Sequence, residues 1–438
     1  MKLRTAEAMP RAADPDSGPS AGTDKRGSHF GVLAAAGVCA ALVVGACGDS
    51  GTSPGPPPET SPRSAAVAAG LAALPDAPIR PLENPFNQAR VELGHMLFFE
   101  PILSGPQDVA CSTCHLPDRA FTDGRQFPSG AGATGLGPDR TDPLPAPLRL
   151  MPRNSPTVFN AGVYGRGSPT PTTNGTMFWS GSAFGLEDQV LNPIAADNEL
   201  RGLTFGKEVA IDSILLRLRT IPAYVDDFAT AFPELAATAG GAPQLLLTHT
   251  TLRQALAAYI RELVTPDAPF DRYMDGDDSA LTPAATRGLA LFVGKADCAS
   301  CHTGPMLSDF SMHVIGGAQD GLGRDTTPGD DLGWGEHGGT PYSFRTPPLR
   351  HVAETAPYFH AGTAATLRDV IEFKNAGVSA HPSVRAAQLD SAVKPLELTT
   401  SEIDDLIAFL QSLSDLTTIQ GPLFRAPTAV HSGLTIPR

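Results

Sequence analysis

The chain reads as a mostly α protein made of two similar helical domains with long irregular loops. Three observations lead there. Apolar residues recur at helical spacing in several segments, while strand signals are few. The pentapeptide C-x-x-C-H occurs twice, as CSTCH at 111–115 and CASCH at 298–302. The flanks of the two copies also echo each other: LFF…CSTCH…AFTDG in the first half, LFV…CASCH…MLSDF in the second. Such an echo is the mark of a duplicated unit.

Composition narrows the function. The 438 residues are 41% hydrophobic and 18% charged, as in globular chains. The formal net charge of -14 argues against nucleic acid as a partner and suits a soluble acidic surface. Such a surface also attracts basic protein partners.

The elements follow in order. Residues 1–47 read as a signal peptide. Lys25 and Arg26 precede an uncharged run from Phe30 to Cys47, which has the length of a secretory segment and is short for a membrane span. Val44-Gly45-Ala46-Cys47 resembles a lipoprotein signal, with Cys47 as the lipidated residue. An ordinary signal peptide or an N-terminal anchor is the alternative, and Met9 is a second candidate start. Residues 48–80, rich in Pro, Ser, Gly and Ala, read as a tether. The first domain is expected over 81–265 and the second over 266–425. Asn84-Pro85 reads as the N-cap and first position of the opening helix. Residues 116–180 read as long loops, with an apparent insertion at 162–176. Helices are expected at 205–232, 248–264 and 282–294. Leu252, Leu256, Ile260 and Leu263 give the second of these an apolar face. A last helix begins at Thr399, where Thr399-x-x-Glu402 forms a capping box.

The repeated pentapeptide carries the chemistry. In C-x-x-C-H the two thiols add to the vinyl groups of haem, and the next residue ligates the iron from below. Cys111, Cys114, Cys298 and Cys301 are therefore haem attachments, and His115 and His302 are proximal ligands. A redox dithiol or half of a zinc site leaves the histidine after both pairs unexplained. Two c-type haems suit an exported, periplasmic protein. They are consistent with an electron carrier, in which both irons are six-coordinate, and with an enzyme that keeps one iron open. No histidine occurs between His115 and His249, and the methionines there are Met151 and Met177. The first haem is thus offered few distal ligands, which favours an open, reactive site.

With those motifs the chain resembles the bacterial di-haem cytochrome c peroxidase family, which includes the enzyme that matures a tryptophan-derived cofactor in methylamine dehydrogenase. The likeness runs from about Asn84 to Leu413. It rests on LGHMLFFEPILS, RNSPTVFNA at 153–161, FWSG at 178–181, LEDQVLNPI at 186–194 and TPPLRHVAETAPYFHAGTAATL at 346–367. The resemblance implies two cytochrome c-like domains with sites near their interface, and these roles. Trp179 lies between the haems. Gln189 and Glu199 stand over the peroxide-binding haem, with Pro193 between them in sequence. Asn154, through its side chain, and Thr355 and Pro357, through their carbonyls, hold a calcium ion. Glu199 serves as base and then acid in O–O cleavage, and Gln189 orients peroxide or water. The implied partners are hydrogen peroxide and an electron-donor protein, a small cytochrome c or cupredoxin, or else an oxidised protein substrate. A homodimer fits the same resemblance.

Two departures stand out. The family's loop histidine, about eight residues before Asn154, is replaced by Ala146, so the oxidised first haem is expected without a sixth protein ligand. The family's sixth ligand of the second haem falls on Lys374, where methionine or tyrosine is usual. Met312, His313 and His351 are the alternatives for that ligand. His95 stands where Arg or Lys is usual and reads as a surface or propionate-contacting residue.

Overall fold

A computed structural model describes residues 61–141, 150–319 and 329–437. The signal segment, Cys47, the tether up to residue 60, and Ala146 lie outside the described residues.

Among the described residues thirteen α-helices follow in chain order: α1 (Pro62–Ala68), α2 (Gln88–Phe98), α3 (Cys111–Cys114), α4 (Leu186–Gln189), α5 (Asn192–Ala195), α6 (Ala210–Arg219), α7 (Pro222–Ala231), α8 (Pro233–Ala236), α9 (His249–Arg261), α10 (Pro269–Met274), α11 (Pro283–Val293), α12 (Leu367–Ala376) and α13 (Thr400–Gln411). The sheet content is two antiparallel ribbons among the described residues. β1 (Thr176–Met177) pairs with β2 (Ala183–Phe184), and β3 (Met312–His313) pairs with β4 (Phe344–Arg345). No described helix is long and apolar enough to cross a membrane.

Local chemistry sets the helix ends. Thr399 caps α13 reciprocally with Glu402, as expected from the sequence. The opening helix starts later than expected. Asn87, not Asn84, caps α2, its side chain accepting from the Arg90 amide. Asn84 instead accepts from Arg90 and donates its amide over long range to Glu187 and the Gln254 carbonyl. The expected stretch at 205–232 is broken before Pro222, which opens α7 because its ring cannot continue α6.

The helices build two apolar cores. α2, α6, α7 and α9 line the first, and α11, α13 and α12 the second. The crossings α2–α9 and α11–α13 are built alike. A Cβ at Gly94 would lie 1.9 Å from the Ala255 carbonyl oxygen, and one at Gly288 would lie 2.0 Å from that of Asp405. Each glycine thus lets two helix backbones touch. Four residues on, Phe98 and Phe292 each stand 6.4 Å, centroid to centroid, from the histidine of their pentapeptide. Phe98 packs on Tyr259 at 5.2 Å and Phe292 on Phe409 at 5.0 Å. The echo in the sequence is therefore a repeat in packing.

The chain ends cross over, which corrects the expected boundaries. Residues 61–80, taken as part of the tether, are folded. Ala66 and Leu71 are buried in the second core and Leu74 in the first. Thr303 donates to the Ala69 carbonyl at 2.8 Å, and the Gly304 amide to that of Gly70 at 3.0 Å. A buried Arg350–Asp271 pair fixes the same segment. Asp271 accepts from the Leu74 amide, and Arg350 donates to the Ala72 carbonyl. Alanine is the commonest residue of this stretch, and three apolar side chains anchor it. At the other end, Phe424, Val430 and Ile436 return to the first core. Ser432 donates to buried Glu100 at 2.6 Å, Tyr224 donates to the same carboxylate, and His431 meets Asp227 at 2.8 Å.

Candidate active site

Each pentapeptide forms a tight turn that presents its histidine edge-on. The His115 Nδ1–H donates to the Phe121 carbonyl at 3.0 Å, and the His302 Nδ1–H to the Leu307 carbonyl at 2.9 Å. These bonds select the tautomer that leaves Nε2 for iron. Burial lowers the pKa of both rings, His302 to about 4, so each is held neutral as a ligand must be. The four cysteines are unbridged. Burial pushes the Cys111 and Cys298 thiols up to about 12 and raises Cys114 as well. Two thiols beside one Nε2, twice, fit two covalently held haems.

A cavity of about 290 Å³ opens beside the second turn. Cys298, Cys301 and His302 line one side, and Lys374 on α12, Trp179, Asn154, Thr355 and Pro357 line the rest. Burial lowers the Lys374 pKa, opposed by the nearby Cys298 and Cys301 sulfurs and by Asp390. The alternatives to Lys374 are otherwise engaged. His313 has both ring nitrogens on carboxylates, Asp309 at 2.9 Å and Asp390 at 2.7 Å. His351 is fully buried between the cores, with Nε2 2.9 Å from the Thr265 hydroxyl and its ring 4.5 Å from that of Phe159. Met312 lies against Gly181.

The segment 153–155 joins the two halves of the site. The Trp179 Nε1–H donates to the Asn154 carbonyl at 2.9 Å. The next residue, Ser155, donates to the Cys114 carbonyl at 2.8 Å and lies 3.5 Å from His115 Nδ1. Two hydrogen bonds and the Asn154–Ser155 peptide link thus lead from the first turn to an indole that lines the cavity of the second. The ring is braced by His360, edge-on at 6.5 Å, which stacks on Phe344 at 3.6 Å. Asn154 is buried, and its Nδ2 donates to the Arg125 carbonyl, leaving Oδ1 to accept. Among the described residues the Thr355 and Pro357 carbonyls accept no backbone hydrogen bond. Oxygens of this kind are the ligand type that a hard cation such as calcium takes.

Glu199 stands by the first turn, close enough for its charge to act on Cys111 and Cys114. Burial raises its carboxyl to about 7. Its main chain is clamped, the Glu199 carbonyl accepting from Ala131 at 2.7 Å. Arg140 braces the segment around Ala131, bonding the Ser129, Gly130 and Gly135 carbonyls at 2.7 Å each. Gln189 ends α4 and Pro193 lies in α5, whose Pro193 carbonyl accepts from Leu200. No hydrogen bond joins Gln189 to Glu199 among the described residues. His95 is half-buried, 2.7 Å from the Arg425 carbonyl and 5.0 Å from the Tyr259 ring, so it packs under the C-terminal segment.

Sequence reasoning missed Phe98 and Phe292, Ser155, Arg140 and the carboxylates around His313. The Gly-x-x-x-Phe spacing before each pentapeptide is the signal that could have found the first pair.

Helical repeats that each present a C-x-x-C-H turn define a c-type cytochrome with two haem sites. Comparison with known proteins narrows this. Residues 88–279 match the family described as di-haem cytochrome c peroxidase. The chain is 34% identical over 345 residues to the methylamine utilization protein MauG of Methylorubrum extorquens, covering 77% of this chain and 82% of that one. It is 31% identical over 358 residues to the cytochrome c551 peroxidase of Pseudomonas aeruginosa, covering 81% and 86%. Its fold overlays that of a MauG-like protein associated with microbial copper homeostasis with a TM-score of 0.65, at 29% identity, over 81% of this chain and 98% of that one. The chain belongs to the di-haem cytochrome c peroxidase family and is an oxidoreductase acting on peroxide.

Proposed function

We propose that the chain reduces hydrogen peroxide to water at a haem over His115, drawing electrons through Trp179 from a haem on His302. The observation that carries this reading is Glu199: a half-buried carboxyl, raised to about 7 by loss of solvent, beside Cys111 and Cys114. Haem, when bound at the two turns, supplies the iron that accepts peroxide and the store of electrons that reduces it. The residues do the rest. The Glu199 carboxylate takes the proton from the inner peroxide oxygen and returns it to the outer oxygen, which leaves as water. Gln189 orients the peroxide from the preceding turn. Trp179 fills the space between the sites with a polarisable ring held by Asn154. Asn154, Thr355 and Pro357 hold a calcium ion that ties the bridge to the second half.

At the second site Lys374 would supply the sixth ligand, and loss of solvent lowers the pKa of its amine towards the neutral form that a metal takes. Lysine in place of methionine lowers the potential of that haem. This favours a second reading, in which the oxidised pair takes electrons from a protein partner instead of a small cytochrome c or cupredoxin. The protein works in the periplasm, tethered by lipid at Cys47. The run from Phe30 to Cys47 and the haem attachments support that location, and Cys47→Ala should release the protein from membranes.

Stopped-flow mixing of the oxidised protein with peroxide tests the function. A fast change in the haem spectrum, reversed at once by reduced cytochrome, supports the peroxidase. A change that persists in cytochrome and decays with a protein partner supports the second reading. No spectral change within seconds overturns both.

A further inference from the structure

His313 lies between two carboxylates at the edge of the second site. Its Nδ1 is 2.7 Å from Asp390 and its Nε2 is 2.9 Å from Asp309. Both nitrogens can face carboxylate oxygens only if both carry hydrogen, so the ring is a cation. Its hydrogen bond to Asp309, foremost, raises its pKa. The arrangement is rigid. His313 belongs to β3, opposite Phe344 in β4, and the Asp390 amide donates to the Val314 carbonyl at 2.9 Å. The Cys301 sulfur, an Asp309 oxygen and a His313 nitrogen lie within 4.8 Å of one another. His313 and Asp390 line the same cavity as Lys374 and His302.

We propose that the Asp309–His313–Asp390 bracket is a fixed charge cluster of net -1 that sets the reduction potential of the second haem. Two carboxylates and one imidazolium leave one negative charge beside the Cys301 thioether. Removal of one electron from the second site, on its way through Trp179 to peroxide, adds one positive charge there. A nearby negative charge favours that oxidised form and so lowers the potential. The bracket is a positioning device and touches no substrate. It also keeps His313 from competing with Lys374 for the metal. The inference rests on the reading that a haem is attached at Cys298 and Cys301.

Opposite substitutions test it. Asp390→Asn removes one negative charge and leaves His313 paired with Asp309, so the midpoint of the second haem should rise. His313→Gln removes the cation and should lower it. His313→Lys restores a cation and should bring it back towards the native value. The midpoints are read by spectroelectrochemistry of the full holoprotein at pH 8, where the carboxylates stay ionised. The expected change is on the order of tenfold in the reduction equilibrium, about 60 mV for a one-electron couple, with the first haem unmoved. A purely structural role would shift both variants the same way, and that result, or no shift at all, overturns the inference. The haem count of each preparation separates this from a failure of the underlying reading. One haem per chain in the native protein defeats the two-site reading itself.

Discussion

Replacing Glu199 by Gln keeps the shape of the side chain and removes its ability to carry a proton. The carboxyl sits at about 7 because burial disfavours its charged form. In the proposed role of base for the first peroxide proton, it works only when ionised. At pH 7 about half the molecules are ready, and below that the reactive fraction falls about tenfold per pH unit. The rate of reaction of the oxidised native protein with peroxide should therefore climb about a hundredfold from pH 5 and level off above pH 8. Glu199→Gln should lose about 10²–10⁴-fold at the plateau, the usual worth of a positioned acid–base group, and its profile should be flat. The assay is stopped-flow absorbance in the Soret region at saturating peroxide across that pH range. A variant that keeps the inflection near 7, or loses less than tenfold, refutes the role and shows that another group moves the proton.

Lys374→Met should raise the midpoint potential of the second haem and alter its low-spin spectrum, and an unchanged spectrum would remove lysine from the ligand set. Gly94→Ala or Gly288→Ala should cost about 1–3 kcal/mol, because a backbone carbonyl faces the new methyl and cannot yield. Thermal denaturation should show this as a midpoint several degrees lower. Trp179→Phe keeps an aromatic ring but loses the bond to the Asn154 carbonyl, and should slow electron exchange between the haems after a pulse of reductant. Calcium at a hundredfold excess over its dissociation constant should stabilise the protein by about 2.7 kcal/mol, an effect that Asn154→Ala should abolish in melts with and without chelator.

Short-range patterns were legible. The pentapeptides, the Thr399 capping box and the helical stripes each depend on residues within one turn of each other, and the structure keeps them. Features that join distant segments were hidden. Asp309 is four residues from His313, but Asp390 is 77 away, so no spacing rule reports the bracket. Asn84 looked like a cap because it precedes proline, yet its partners Glu187 and Gln254 lie over a hundred residues on. The folded stretch at 61–80 was hidden behind the Pro-rich residues just before it, and Ala66 and Leu71 matter only once the second core exists to receive them.

Residues 61–80 give the two halves a shared fate. Ala66 and Leu71 are buried in the second core and Leu74 in the first, so neither core can shed this stretch without opening its neighbour. The Arg350–Asp271 pair, which holds the Leu74 amide and the Ala72 carbonyl, strengthens the same seam. The two halves should therefore unfold together, in one transition rather than two.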